Sequence, residues 1–180
     1  MEWSLPVLTT ERLKLRAVTL DDAEAMFTYG SNENVTKYVL WNTHETLEDS
    51  KEFIEMALET YKMHPFYHWG IEYEGKFIGT IDYVMIHQHN KVGEIGYVLA
   101  EEYWNKGIVT EAAKKVIDFG FKELQLVRVQ ARCVVENTGS SRVMEKCGMI
   151  YEGTLRKALY MKGSHRDVKM YAITDEHWPS

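Results

Sequence analysis

Apolar and polar residues repeat along the chain with two different periods, and the points where one gives way to the other outline the fold. Arg12-Leu-Lys-Leu-Arg-Ala-Val18 alternates basic and apolar side chains, the period of a strand with one face buried. Thr19-Leu-Asp-Asp22 reads as a helix start with acids in its first turn, so a helix is predicted through Met26 and Phe27. Thr46-Leu-Glu-Asp49 repeats that signal, after which Leu47, Ser50, Ile54, Ala57 or Leu58 and Tyr61 share one helical face until His64-Pro65. Strand patterns follow in Phe66 to Tyr73, Lys76 to Ile86 and Val92 to Leu99, with a Glu74-Gly75 turn and a polar turn around Asn90 between them. A helix from about Val109 to Leu124 has Ala113, Val116, Ile117, Gly120 and Leu124 on its inner face. Gly120 costs it about 1 kcal/mol relative to Ala, so close packing against a neighbouring backbone is expected there. A strand (Val127 to Val135), a short helix (Thr138 to Cys147, stopped by Gly148) and two strands (Ile150 to Thr154 and Val168 to Thr174) complete the order. The class is α+β. With no repeat, low-complexity tract or linker, residues 1–180 read as a single domain.

Charge changes the picture more than composition does. Apolar types make up 45% and charged types 27%, ordinary for a globular domain, and the formal net charge of −6 argues against a general nucleic-acid binder. The excess is local. Asp21 to Glu59 holds ten acidic residues against Lys37 and Lys51. It reads either as solvated helix faces or as a surface for a cationic partner. Two cysteines are too few for a disulfide scaffold, and no secretory start opens the sequence, so a reduced, cytoplasmic protein is expected. No run approaches the roughly 20 apolar residues that span a bilayer. Asn34-Val-Thr36 matches a glycosylation sequon by chance in that setting.

Two stretches can carry chemistry. Gly96-Tyr-Val-Leu-Ala-Glu-Glu-Tyr-Trp-Asn-Lys-Gly-Ile-Val-Thr-Glu-Ala112 leads a strand through a short loop into a helix. The first helical turn has unpaired N–H groups and a partial positive charge, so such a loop can present several amides to a phosphate, with Gly107 allowing the approach. It contains neither the P-loop nor the dinucleotide glycine pattern, and a plain turn is the other reading. In Cys133-Val-Val-Glu-Asn137-Thr-Gly-Ser140 a strand ends at an Asn that can donate and accept, with Ser140 in the next helix; capping is the other reading for both.

Taken together, the sequence resembles the GNAT superfamily of acetyl-CoA-dependent N-acetyltransferases, most closely the branch of ribosomal-protein N-terminal acetyltransferases. The resemblance runs from Thr10-Glu-Arg-Leu-Lys-Leu-Arg16 with Asp22-Ala23, through Gly96-Tyr97 and Tyr103-Trp104-x-Lys-Gly107-x-x-Thr-Glu-Ala112, to Asn137-x-x-Ser140 and Lys146-x-Gly148. Glu152-Gly153 and Arg166-Asp167-Val168 also fit. It implies a central, mostly antiparallel, splayed sheet flanked by helices. It implies acetyl-CoA as cosubstrate, with no metal. The pyrophosphate loop falls on Trp104, Asn105, Lys106, Gly107, Ile108, Val109 and Thr110. Asn105 stands where the branch often has Gly, and Val109 where a small residue is usual. Pantetheine would pair with Tyr97, Val98 and Leu99 and bond Asn137, the Val98 amide would face the oxyanion, and Ser140 would protonate the leaving thiolate. Many members carry a tyrosine acid seven residues after the Asn; Met144 stands here and has no proton to give.

The reaction needs a neutral amine. An α-amine with a pKa near 8 is partly neutral at about pH 7.5, whereas a lysine is only about 0.1% neutral and would need much stronger base assistance; with the branch resemblance, the acceptor read here is the α-amine of a peptide or ribosomal protein. A small amine such as an aminoglycoside, polyamine or amino acid is the second reading, and a non-catalytic acyl-CoA sensor is a reading from another class. Glu94 is the candidate base, acting through water, or else a carboxylate that stabilises its strand. His87-Gln-His89 is read as a solvated turn with no metal, Cys133 as an inert thiol, and Trp41, Tyr67, Trp69 and Tyr83 as acceptor-pocket or core aromatics. No membrane or nucleic-acid partner is expected, and a homodimer is compatible with the resemblance.

Overall fold

The computed structural model describes residues 3–63 and 65–179. His64, part of the predicted helix stop, lies outside them. Among the described residues there are eight strands and five α-helices, an α+β arrangement with a mixed, mostly antiparallel sheet. The chain divides into two compact units, one of residues up to Asp82 together with Tyr97–Ala112, the other of Tyr83–Gly96 with Ala113 onwards.

In the first unit, β1 (Leu8–Thr9), β2 (Leu13–Arg16) and β3 (His68–Tyr73) pair antiparallel in that order, and β3 pairs with β4 (Lys76–His87). The period-two reading of β2 holds, with Leu13 and Leu15 buried. Its outward Arg16 is not simply solvated. The guanidinium donates to both oxygens of Asp22 at 2.8 Å and to Glu72 at 2.7 Å, and the Asp22 hydrogen bonds hold its pKa above the ordinary arginine value. Asp22 also accepts from the Thr19 amide, so the predicted helix start becomes a 3-10 turn (Leu20–Asp22) that leads into α1 (Ala23–Gly30). Then come the short α2 (Glu33–Thr36), which the pattern did not announce, and α3 (Leu47–Met63). Val18, Ala23, Met26, Tyr29, Ile54, Ala57 and Phe77 form one apolar cluster. Burying each of the larger side chains, such as Val18, Met26, Ile54 and Phe77, contributes about 1.5–3 kcal/mol.

In the second unit, the first part of β5 (Val92–Leu99) pairs parallel with β6 (Arg128–Val134), which pairs antiparallel with β8 (Ser164–Thr174), and β8 in turn with β7 (Ile150–Met161). The β5–β6 ladder covers Val92↔Arg128, Gly93↔Val129 and Glu94↔Gln130 and then ends, although β6 remains paired with β8 to Val134. The ladder between these two strands is thus shorter than either strand. Helix α4 (Ile108–Lys122) buries Ala112, Ala113, Val116 and Ile117, while Leu124 falls beyond its end and is only half-buried. Gly120 is indeed a close approach, but to a side chain rather than a backbone. A Cβ there would run into the Tyr83 hydroxyl, which donates to the Val116 carbonyl at 3.0 Å. Helix α5 (Thr138–Lys146) stops at Gly148, whose φ of 82° is the left-handed value a glycine cap supplies.

Candidate active site

The loop into α4 is built in three steps. Trp104 donates its indole N–H back to the Leu99 carbonyl at 2.8 Å, closing the segment on the end of β5. Asn105 and Gly107 then take left-handed φ values of 60° and 75°, and α4 begins at Ile108, with the Gly107 carbonyl accepting the Glu111 N–H at 3.0 Å. Asn is the residue other than Gly that enters this region most readily, so Asn105 keeps the turn that a glycine would make. Asn105, Lys106 and Gly107 are exposed at the helix start and Ile108 is buried beneath them. Val109 is half-buried inside the first turn.

The N-terminal segment braces this loop. Arg12 donates from Nε to Glu111 Oε2 at 2.7 Å, from its backbone N–H to Oε1 at 3.0 Å, and from Nη1 to the Lys106 carbonyl at 3.1 Å, while the Thr10 hydroxyl donates to Oε1 at 2.6 Å. Burial would raise the Glu111 carboxyl, but the hydrogen bonds from Thr10 and Arg12 outweigh it and hold the pKa below the ordinary range. The motif residues Thr10, Arg12 and Glu111 are thus one hydrogen-bonded set, a link that nothing in their sequence separation announces. A braced loop of exposed residues at a helix start, with Lys106 within it, is the kind of arrangement that can take an anionic diphosphate.

Sequence reasoning places three more candidates in the second unit. Asn137 is the N-cap of α5, its Oδ1 accepting the Ser140 N–H at 3.1 Å, so the capping reading is realised while its amide nitrogen keeps donor capacity. Ser140 is half-buried, and Ser141 beside it is buried with its hydroxyl 3.4 Å from Cys133 Sγ. Burial raises the Cys133 thiol, which fits an inert role. Met144 is fully buried in the helix underside. Glu94 is also buried, and both its oxygens are engaged: Oε1 accepts from Arg132 Nε and Oε2 from Gln130 Nε2, each at 2.8 Å.

A feature absent from the sequence reading is a small cavity in the first unit lined by Met26, Tyr29, Trp41, His44, Phe53, Thr80 and Val98. It brings Val98, a predicted cofactor residue, together with His44, a single histidine in the connection between α2 and α3 that no motif marked. Of the four aromatics singled out above, Trp41 lines this cavity. Trp69 and Tyr83 are core residues, with the Trp69 indole bonded to the Pro6 carbonyl, and Tyr67 packs edge-on against Trp3. No group of side chains suited to hold a metal occurs among the described residues, and no helix there is long and apolar enough to cross a membrane.

Comparison with known proteins gives this geometry a family. The model of the acetyltransferase (GNAT) domain matches residues 12–150. The chain is 36% identical over 170 residues to the uncharacterized N-acetyltransferase YoaA of Bacillus subtilis, covering 93% of this chain and 96% of that protein. Its fold superposes on a GNAT-family acetyltransferase from Bacillus anthracis with a TM-score of 0.85 at 33% identity, covering 96% of this chain and 100% of that one. It also superposes on the microcin C7 self-immunity acetyltransferase MccE, solved with acetyl-CoA and AMP, with a TM-score of 0.83 at 27% identity and coverage of 92% and 93%. A match that runs through residues of both units, on a fold with a braced amide loop at its helix start, settles the assignment: the chain belongs to the GNAT acetyltransferase family and is an acetyl-CoA-dependent N-acetyltransferase.

Proposed function

We propose that the acceptor is the α-amine of a peptide or protein N-terminus, a ribosomal protein being the example the branch resemblance suggests, and that the chain acts as one catalytic domain in the cytoplasm. The observation that carries the acceptor class is the lining of the cavity at Val98, which is apolar or neutral and includes no carboxylate. A site of that kind favours an amine that arrives uncharged. An α-amine meets that condition at neutral pH far more often than a lysine or a polyamine nitrogen does. The acid excess belongs further out. Glu45, Glu48, Glu52, Glu55 and Glu59 are exposed at the start and along the outer face of α3, with Lys51 and Lys62 neutralising only Glu48 and Glu59, so this surface draws in cationic acceptors without holding one at the reacting centre.

The local geometry of each unit supports the following residue roles. Acetyl-CoA supplies the activated acetyl group as a thioester. The exposed amides at Asn105, Lys106 and Gly107 and those of the first turn of α4, Ile108, Val109 and Thr110, take its diphosphate, with Trp104 closing the loop behind them. The backbone of Tyr97, Val98 and Leu99 and the free amide nitrogen of Asn137 take the pantetheine, and the Ser140 hydroxyl protonates the departing sulfur. Glu94, with both oxygens committed, anchors β6 through Arg132 and Gln130, which favours the strand-stabilising alternative for it.

Thiol release from acetyl-CoA, followed across peptides of varied first residue, spermidine and an aminoglycoside, tests this reading. The expected result is the highest kcat/KM on peptides. Turnover confined to spermidine or the aminoglycoside would replace the acceptor class, and acetyl-CoA binding with no turnover on any amine would favour the sensor.

A further inference from the structure

Resting on the acceptor reading above, we propose that His44 is the catalytic base, taking the proton from the attacking amine in the cavity beside Val98. Three observations meet on this ring. Its Nδ1 edge is fixed: Nδ1 lies 2.7 Å from the Ser50 hydroxyl, the backbone N–H bonds the Gly30 carbonyl at 3.0 Å, and a Cβ at Gly30 would stand 2.8 Å from Nδ1. Gly30 is therefore small because the imidazole lies against it. With that edge taken, the edge carrying Nε2 is the one left to face the cavity. Ser50 is fully buried, and when its oxygen accepts from Nδ1–H the free lone pair sits on Nε2, the tautomer a base requires.

The cavity has space for about one water-sized group, the size of an amine nitrogen with its hydrogens. Trp41, 5.0 Å from the imidazole centroid, and Phe53, 6.5 Å away, wall the ring on its apolar sides. The charged and titratable groups around it are few. Burial lowers the His44 pKa, opposed by Asp49 from the first turn of α3. Tyr29 from α1 is buried, which raises its hydroxyl far out of the working range, and His68 from β3 packs against Phe53 with ring centroids 5.9 Å apart. The imidazole is accordingly neutral at neutral pH and able to accept. Glu94, the carboxylate that sequence reasoning offers for this task, holds a guanidinium and an amide instead.

The step balances without any added reactant. The amine nitrogen forms its bond to the acyl carbon, and the carbon–sulfur bond breaks with its electron pair on sulfur. One N–H proton passes to Nε2, sulfur takes the proton of the Ser140 hydroxyl, which solvent replaces, and the imidazolium returns its own to solvent.

Steady-state rates of His44→Gln and His44→Ala, measured from acid to alkaline pH with the amine that wild type turns over fastest, test the proposal. Expected are a kcat lower by about 100-fold, acetyl-CoA affinity by calorimetry within about twofold of wild type, and loss of the wild-type acid limb, along which rate rises with pH through a pKa below the ordinary histidine value. Added imidazole should restore part of the His44→Ala rate, and Glu94→Gln should lose less than about tenfold. Survival in His44→Gln of the limb below the ordinary histidine pKa, as distinct from the limb at about pH 8 that the amine itself gives, or a Glu94→Gln loss as large as that of the His44 variants with no imidazole recovery, would overturn the proposal. If neither His44 variant binds acetyl-CoA, Ser50→Ala decides, and an unshifted acid limb there contradicts it. If wild type uses only a small amine, the acceptor reading fails while these comparisons, run on that amine, still judge His44.

Discussion

The loop at 104–111 and the cavity around His44 lie in the same unit, and the roles proposed for them are of opposite kinds. The loop offers backbone amides, so what matters is the sign of φ at Asn105 and Gly107 and the bracing by Arg12, and a change of side chain is tolerated wherever the conformation survives. The cavity offers one imidazole, and its chemistry depends on which side chains surround that ring. Function carried by backbone is robust to sequence drift. Function carried by a buried side chain depends on distant partners such as Gly30 and Ser50.

This contrast can be broken from either side, and the largest effect is expected at the cavity wall. A Cβ at Gly79 would overlap the Val98 carbonyl and crowd the Leu99 backbone at 3.0 Å, so Gly79→Val should cost about 3 kcal/mol or more in urea denaturation. A variant of wild-type stability would show that β5 can move freely there. Next comes the loop glycine. Gly107→Val places a β-branched residue at a φ of 75°, a penalty of about 2 kcal/mol, and should weaken acetyl-CoA binding by about 30-fold with little change in kcat. Arg12→Gln removes the ion pair to Glu111, partly exposed on both sides, and should raise the acetyl-CoA KM by about fivefold, again with kcat nearly constant. Asn105→Gly should shift acetyl-CoA affinity least, by about twofold, because the left-handed turn is kept. If Asn105→Gly weakened binding as much as Gly107→Val, side-chain chemistry would be at work in the loop.

Much of this was legible in the sequence, for physical reasons that differ by element. Strand β2, helix α3 and helix α4 bury one face each, so period alone reveals them. The β7–β8 hairpin was only half visible. Strand β7 is exposed along most of its length and is interrupted by register shifts, with Lys157 at a φ of 51°, so no alternation marks its second half. The loop was readable because its glycine and helix start are local. Its brace was not, since Arg12 and Glu111 meet only in the folded chain. Glu94 stood out as an acid on the right strand, but its commitment to Arg132 and Gln130 is set by the β5–β6 ladder and carries no local signature. Gly120 announced a close approach, and only the fold reveals that Tyr83 makes it.

The central claim is transfer of an acetyl group to an uncharged α-amine, and a pair of peptides tests it most directly. One carries a free N-terminus and no lysine; the other is the same peptide with a blocked N-terminus and one added lysine. With acetyl-CoA supplied, the account predicts a kcat/KM for the free α-amine at least about 100-fold above that for the lysine peptide, as their neutral fractions require. Equal rates on the two, or faster turnover of the blocked peptide, would contradict it.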